Sequence, residues 1–144
     1  MLSAPRPLDA EAPDLVLPLI LSPVPAGFPS PAEDHWEPKF NLHEYLVTDR
    51  AGMFFMKVEG ASMTGIGIMH GDLLVVAKGR RPREGSVVVA VVGGEYTVKT
   101  LARAADGTWE LRAHNPAYRP INLLDGECSV WGVVTGVVRR YGAG

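Results

Sequence analysis

The chain has 144 residues, of which 47% are apolar and 21% are charged, and its formal net charge is −2. These values are typical of one globular domain with a modest core, and they argue against a protein that binds DNA through a broad basic surface. The single cysteine, Cys128, excludes an internal disulfide and favours a reducing compartment.

Residues 1–38 differ in composition from the rest of the chain. They hold nine of the twelve prolines and show no helical period, so we predict an extended arm. The apolar run Leu15–Leu21 imitates a secretory signal, but acidic residues precede it and Pro18 interrupts it. The run is also too short to span a membrane. We therefore expect a cytoplasmic protein without a membrane segment, in which the arm precedes a domain over residues 39–144.

After the arm, Phe40–Leu46 is expected to form a short amphipathic turn, and from Met53 onward almost all signals indicate β-structure. The predicted strands are Phe54–Val58, Leu73–Ala77, Ser86–Val92, Glu95–Leu101, Trp109–Ala113, Ser129–Val134 and Gly136–Arg140. Gly93-Gly94 and Asp106-Gly107 predict turns, and we expect the last two strands to be joined near Thr135-Gly136. Short strands with Gly-rich turns indicate an all-β fold whose sheet is folded and partly closed.

A serine and a lysine stand out within these predicted strands. Ser62 lies in a glycine-flanked turn, which would fix its backbone and leave its hydroxyl free to point into a cleft. A hydroxyl attacks an amide only when a base removes its proton, and the best candidate base is Lys99. Lys99 lies in an apolar strand with no acid within three residues, where burial would lower its pKa. We therefore predict a Ser62–Lys99 catalytic pair that cuts the N-terminal arm.

Each member of this pair also has a plain structural interpretation. Lys99 could extend its stem along apolar surface and keep its charge in water. Ser62 could cap a short helical turn, since Ser-Met-Thr-Gly is a plausible helix start. The second role is compatible with catalysis, because such a turn would direct the backbone N–H groups of Ala61 and Ser62 at a developing oxyanion.

Two other catalytic arrangements are compatible with the sequence but less favoured. His70 and Asp72 could complete a triad with Ser62, although His70 is only eight positions away and fits a turn. Cys128 and His114 could form a thiol site. The four histidines lack metal-ligand spacing and no phosphate-binding loop is present, so we expect neither a metal nor a cofactor.

Three motifs resemble those of the LexA/UmuD family of self-cleaving serine peptidases. They are Gly60-Ala61-Ser62-Met63, Gly71-Asp72-Leu73-Leu74 and Thr97-Val98-Lys99. Together with their surroundings they cover roughly Phe54 to Arg140. The resemblance implies an all-β peptidase fold, with Ser62 as the nucleophile and Lys99 as the general base.

The resemblance also implies a cleavage site in the arm. Family members cut between a small residue and a glycine in their own N-terminal region, and Ala26-Gly27 fits this pattern. The sequence of residues 27–32, GFPSPA, resembles the stretch that follows the scissile bond in UmuD proteins. Ala51-Gly52 is a second candidate, but Asp49 and Arg50 precede it where the family has an apolar strand. We expect cleavage between Ala26 and Gly27.

Repressors of the family carry a helix-turn-helix domain before the cut, whereas 26 proline-rich residues precede Gly27 here. This difference favours the UmuD branch. The resemblance then implies cleavage stimulated by the RecA–single-stranded-DNA filament during the SOS response. The cleaved homodimer would act with a UmuC-type Y-family polymerase in error-prone translesion synthesis, without sequence-specific DNA binding of its own. A repressor fragment and a non-cleaving polymerase accessory module are the alternatives.

Overall fold

The computed structural model describes residues 2, 5–7, 16–20, 36–48 and 50–142. Contacts between Cα atoms divide the chain into two units, one formed by residues 1–10 with 49–144 and the other by residues 11–48. No helix among the described residues is long and apolar enough to cross a membrane.

The smaller unit contains a two-stranded antiparallel sheet and a short helix. Strand β2 (Val16–Ile20) pairs with β3 (Trp36–Asn41), and helix α1 (Leu42–Leu46) follows directly. The side chain of Asn41 caps α1 by accepting a hydrogen bond of 3.1 Å from the backbone N–H of Glu44. Because β3 crosses the predicted boundary after residue 38, that boundary does not coincide with the division between the units.

The larger unit is built on one antiparallel sheet. Its described strands are β1 (Arg6–Pro7), β4 (Met53–Lys57), β5 (Leu73–Ala77), β6 (Val87–Val92), β7 (Glu95–Arg103), β8 (Trp109–Arg112), β9 (Ile121–Asn122) and β10 (Cys128–Val138). In space they follow the order β1-β4-β5-β10-β6-β7-β8-β9. The prediction of an all-β fold is confirmed. Among the described strands the sheet is open, with β1 and β9 at its edges.

Residues from the start of the chain belong to this sheet. Arg6 pairs with Phe55 of β4, and the buried residue Leu2 forms a single bridge with Val58. The backbone N–H of Leu2 also donates to the carbonyl oxygen of Tyr96 at 3.3 Å. The beginning of the predicted arm therefore pairs with β4 and contacts β7.

The prediction of two final strands joined at Thr135-Gly136 is wrong. One strand, β10, runs through this point, pairing first with β6 and then with β5, and its register shifts near Gly132 and again near Gly136. A glycine inside a strand marks a bulge or a close approach as often as a turn. A Cβ at Gly132 would lie 2.8 Å from Cγ1 of Val76, so close packing explains this glycine.

The hairpin between β6 and β7 agrees with the sequence. Gly93 and Gly94 adopt φ values of 57° and 82°, which are the positive values that a two-residue hairpin turn requires. Strand β6 is buried on both faces, as its continuous apolar run predicts. One face contributes Val89 to a core cluster with Met56, Val58, Met63, Leu74, Val76 and Val98. The other contributes Val88 and Ala90 to a cluster with Leu101, Leu111 and Val133.

Candidate active site

The structure brings Ser62 and Lys99 together, although they are 37 positions apart in the sequence. Lys99 lies in the middle of β7, and Ser62 lies in the turn that follows β4. The distance between Lys99 Nζ and Ser62 Oγ is 2.9 Å. Nζ also donates to Oγ1 of Thr97 at 3.3 Å, because residues two positions apart on a strand share one face.

Lys99 is buried, with only 5% of its surface exposed. It pairs with Val88 of the central strand β6, which keeps its backbone inside the sheet. Burial lowers the pKa of Lys99 from its ordinary value, since the lost hydration stabilised the ammonium form. Among residues 50–142 no carboxylate forms an ion pair with it. The interpretation of Lys99 as a lysine with its charge in water is therefore wrong.

The aromatic ring of Tyr118 lies near the same amine. Its centroid is 5.6 Å from Lys99 Nζ, within the range of a weak attraction for the charged form. The two residues line a cavity of about 260 Å³ together with Val92, Glu95, Tyr96, Thr97, Arg119 and Ile121. The amine thus borders a cleft while most of its own surface is covered.

Ser62 belongs to a segment that we call the nucleophile loop, residues 59–71. The ends of the loop are closed by two backbone hydrogen bonds of 2.8 Å, from the N–H of Val58 to the carbonyl of Asp72 and from the N–H of Gly71 to the carbonyl of Val58. Inside the loop a short 3-10 helix runs from Thr64 to Ile66, with Met63 at its N-cap position. Ser62 precedes that position, and its hydroxyl bonds to Lys99. The interpretation of Ser62 as a helix cap is wrong for this reason.

The segment around His114 holds the backbone on both sides of Ser62. Nδ2 of Asn115 donates to the carbonyl oxygen of Ala61 at 2.9 Å, and the backbone N–H of His114 donates to the carbonyl oxygen of Ser62 at 2.8 Å. The N–H of Gly65 donates to the carbonyl oxygen of His114 at 2.7 Å. Among residues 50–142, the N–H groups of Ala61 and Ser62 have no protein acceptor. Their role at an oxyanion stays a prediction.

An ion pair fastens the far end of the nucleophile loop. Arg139 donates from Nε and from an Nη atom to the two carboxylate oxygens of Asp72, both at 2.6 Å. The guanidinium also donates to the carbonyl oxygen of Gly67 at 2.7 Å, and the N–H of Met69 donates to the carboxylate at 2.8 Å. The hydrogen bonds from Arg139 hold the pKa of Asp72 below its usual value, although burial opposes them.

The Ser62/His70/Asp72 triad does not form. The carboxylate of Asp72 is occupied by Arg139, and Nδ1 of His70 accepts a hydrogen bond of 3.1 Å from the backbone N–H of Gly60. His70 lies in a turn, as the sequence predicts. The triad fails because its base and its acid already have other partners.

The proposed pairing of Cys128 with His114 also finds no support. Nε2 of His114 lies 2.8 Å from Oγ1 of Thr100, which occupies this ring nitrogen. Burial raises the pKa of the Cys128 thiol, and the charge of Asp125 raises it further, so the reactive thiolate is disfavoured. Among the described residues, no group of three His, Cys, Asp or Glu side chains could hold a metal ion.

Of the two candidate cleavage sites, only Ala51-Gly52 lies among the described residues. Ala26 and Gly27 lie outside the described residues. Ala51 and Gly52 lie in a 3-10 helix, and the carbonyl oxygen of Gly52 accepts a hydrogen bond of 2.9 Å from the N–H of Lys78. The second site is therefore bound into the body of the larger unit.

Sequence reasoning did not identify Asn115 or Arg139 as part of this site. Asn115-Pro116 is a recognisable turn signal, but nothing local relates it to Ala61, which is 54 positions away. Arg139 lies in the predicted strand Gly136–Arg140, 67 positions from Asp72, and no local signal relates the two residues.

Comparison with known proteins places the chain in a family. Residues 18–135 match the family described as Peptidase S24-like. The protein ImpA of Salmonella typhimurium is 38% identical over 94% of this chain and 92% of its own length, and the protein SamA of the same species is 40% identical over 85% of each chain. The LexA repressor of Pseudomonas chlororaphis is 42% identical over 92% of this chain and 65% of its own length. The chain therefore belongs to the Peptidase S24-like family, as its resemblance to the LexA/UmuD group indicated.

Proposed function

We propose that the protein is a serine peptidase that cuts its own chain between Ala26 and Gly27. Ser62 acts as the nucleophile and Lys99 as the general base. The observation that carries this proposal is the distance of 2.9 Å between Ser62 Oγ and the buried Nζ of Lys99. A hydroxyl next to an amine that burial makes easier to deprotonate is the arrangement that nucleophilic attack on an amide requires.

The reaction begins when the neutral amine of Lys99 accepts the proton of the Ser62 hydroxyl. Oγ attacks the carbonyl carbon of Ala26, and the backbone N–H groups of Ala61 and Ser62 stabilise the oxyanion that forms. The ammonium of Lys99 then donates its proton to the nitrogen of Gly27, the peptide bond breaks, and residues up to Ala26 remain as an ester on Ser62. Water attacks this ester as Lys99 accepts one of its protons. The ammonium then donates that proton to Oγ while the ester bond breaks, which releases a new carboxyl terminus and restores the Ser62 hydroxyl and the neutral amine.

The reaction depends on pH through Lys99. Because burial lowers the pKa of this amine, a larger fraction is neutral near physiological pH than for an exposed lysine. The cleavage rate rises as the pH increases through this pKa and then levels off. An exposed lysine would give the same profile at higher pH.

The physiological role follows the UmuD branch of the family. The chain is 38% identical to ImpA over 92% of that protein's length, and GFPSPA at residues 27–32 resembles the stretch after the scissile bond of UmuD proteins, which supports this branch. Its net charge of −2 also disfavours direct DNA binding. In this role the RecA–single-stranded-DNA filament stimulates cleavage in the cytoplasm, and the cleaved homodimer joins a UmuC-type Y-family polymerase in translesion synthesis.

RecA would act on the position of the arm, without supplying catalytic groups. The state in which residues 26–27 lie in the cleft is one of several states of the arm. If the filament binds this state more tightly than the others, it increases the population of this state. The same residues would then carry out the slow spontaneous reaction at alkaline pH and the stimulated reaction at neutral pH.

The test is to incubate the full chain from pH 7 to pH 10, with and without the RecA–single-stranded-DNA filament, and to identify the fragments by mass spectrometry. We expect a cut after Ala26, faster with the filament and faster at alkaline pH, and none in the variants Ser62→Ala and Lys99→Ala. Ser129→Ala and Lys78→Ala, which alter exposed residues outside the site, serve as matched controls. Equal cleavage in Ser62→Ala and the wild type would refute the proposal. Binding of the polymerase without any cleavage would favour the accessory-module alternative.

A further inference from the structure

The side chain of Asn115 connects the segment after β8 to the nucleophile loop. Its Nδ2 donates to the carbonyl oxygen of Ala61 at 2.9 Å, and its Oδ1 accepts from the backbone N–H of Ala117 at 3.0 Å. The N–H of Tyr118 donates to the backbone carbonyl of Asn115 at 3.1 Å. These hydrogen bonds form a compact turn in which the backbone of residues 115–118 holds the Asn115 side chain in place.

The orientation of the Asn115 amide follows from its two partners. Oδ1 faces an N–H donor, and Nδ2 faces a carbonyl acceptor. Exchanging the two atoms would place a donor against a donor and an acceptor against an acceptor, and both bonds would be lost. The hydrogen bond to Ala61 is therefore built into the turn.

This hydrogen bond determines the direction of the Ser62 N–H. The carbonyl of Ala61 and the N–H of Ser62 belong to one planar peptide unit, and in a trans unit they point in opposite directions. None of the described peptide bonds is cis. The carbonyl of Ser62 is held in the same way by the N–H of His114. Both peptide units that flank the Cα of Ser62 are thus fixed, while its N–H has no acceptor among residues 50–142.

We propose that Asn115 is a positioning residue that holds the Ser62 N–H ready to stabilise the oxyanion. The proposal rests on the proposed self-cleavage, in which that N–H receives the charge on the attacked carbonyl oxygen. A donor that is already oriented needs no reorganisation when charge develops, which is the source of its catalytic effect. Without Asn115 the Ala61 carbonyl keeps only the long hydrogen bond of 3.4 Å from the N–H of Thr64, so the Ala61–Ser62 peptide unit is held less firmly in this orientation.

The loss of a complete oxyanion donor lowers rates by about 100- to 1,000-fold. Asn115→Ala keeps the Ser62 N–H as a donor and loosens only its orientation. The hydrogen bond from His114 to the Ser62 carbonyl still restrains one side of the residue. We therefore expect the plateau rate of cleavage to fall by about 10- to 100-fold. The rate of Asn115→Asp should fall at least as far, because its carboxylate repels the Ala61 carbonyl oxygen instead of donating a hydrogen bond to it.

The chain offers a matched control in Asn122. Its Oδ1 accepts from the N–H of Leu124 at 2.8 Å and its Nδ2 donates to Oγ1 of Thr108 at 3.2 Å, so it makes a similar turn away from the nucleophile loop. Asn122→Ala should leave the cleavage rate at the wild-type value. If it lowers the rate as much as Asn115→Ala does, the effect is a general loss of stability and the proposal is wrong.

The experiment measures the first-order cleavage rate of the full chain from pH 7 to pH 10, for the wild type and for the variants at Asn115 and Asn122. The expected result is a lower plateau with an unchanged midpoint, because no hydrogen bond joins Asn115 to Lys99 and the backbone bond from Tyr118 to residue 115 remains in the variant. A second measurement uses a peptide boronic acid that matches residues 22–26. Its tetrahedral anion should bind Asn115→Ala more weakly than the wild type, by about the same factor by which the cleavage rate falls. The corresponding peptide amide should bind both chains equally.

The outcomes separate the two proposals. A wild-type rate in Asn115→Ala, a shifted pH midpoint, or unchanged boronate affinity would overturn the role of Asn115 while leaving self-cleavage intact. A wild-type chain that never cleaves would instead refute the proposed function. Boronate binding would still report whether Asn115 orients the Ser62 N–H.

Discussion

The loss of stability on breaking the ion pair between Asp72 and Arg139 should depend on which of the two partners is replaced. Asp72 is 1% exposed, whereas the side chain of Arg139 is 35% exposed. Replacing Arg139 by methionine leaves a buried carboxylate with one remaining donor, the N–H of Met69. Replacing Asp72 by asparagine keeps the shape of the side chain and leaves a guanidinium that can still reach water.

The magnitudes follow from this difference in burial. Removing one partner of a buried pair costs about 3–5 kcal/mol, and the partial exposure of Arg139 places the pair at the lower end. We expect Arg139→Met to lower the free energy of unfolding by about 3 kcal/mol. Asp72→Asn should lower it by about 1.5–2 kcal/mol, at the lower end of the usual range for hydrogen bonds to charged groups, because the freed guanidinium can reach water.

The dependence of this contribution on pH has a definite sign. The pKa of Asp72 in the folded protein is below its ordinary value of 3.8, because Arg139 stabilises the carboxylate. The stabilisation is therefore fully present above pH 3.8 and is lost as the pH falls through the lowered pKa. The difference between the wild type and Arg139→Met should shrink in strongly acidic solution.

The assay is urea denaturation followed by tryptophan fluorescence, with every chain carrying Ser62→Ala so that cleavage does not interfere. Arg112→Met is the matched control, because Arg112 pairs with Glu110 in a more exposed setting. Such surface pairs contribute about 0–1 kcal/mol. If Asp72→Asn proved more destabilising than Arg139→Met, or if Arg139→Met matched Arg112→Met, the reasoning from burial would be refuted.

Two further substitutions test the support of the site. Gly65→Ala should slow cleavage by about 10-fold or more, since a Cβ there would lie 2.5 Å from the carbonyl oxygen of His114 and push the loop away. Gly79→Ala, where no atom lies within 4 Å of the added Cβ, is its control, and equal rates in the two chains would contradict the steric argument. Thr97→Val removes an acceptor that favours the charged form of Lys99, so the midpoint of the pH–rate profile should move to lower pH. A midpoint that moves to higher pH would show that Thr97 does not stabilise the ammonium.

Local sequence patterns were sufficient to predict much of the sheet and to single out Ser62 and Lys99 as candidate catalytic residues. Strand β5 has the predicted bounds, and β6 begins one residue later than predicted, because continuous apolar runs between glycine turns leave little choice of structure. Lys99 could be placed on a dry strand because its neighbours are apolar or β-branched. Both signals depend only on residues that are adjacent in the sequence.

The features that the sequence left wrong, unpredicted or open depend on distant parts of the chain. Gly136 has the same local signature whether it forms a turn or a bulge, and the choice is made by the two strands that flank β10. The contact between Asn115 and Ala61 depends on where two loops meet, which no periodicity encodes. The domain boundary after residue 38 rests on proline content and stays a prediction, while β3 runs across that position.

The most direct test of the account is a ¹³C NMR titration of the Cε of Lys99, assigned by comparison with Lys99→Arg. The wild-type chain is suitable, because a cut after Ala26 leaves Ser62 and Lys99 intact. The account predicts that Lys99 titrates below the ordinary lysine value of 10.5, at the same midpoint as the cleavage rate. A titration at or above 10.5, or a midpoint unrelated to cleavage, would contradict the claim that a buried, readily deprotonated amine activates Ser62.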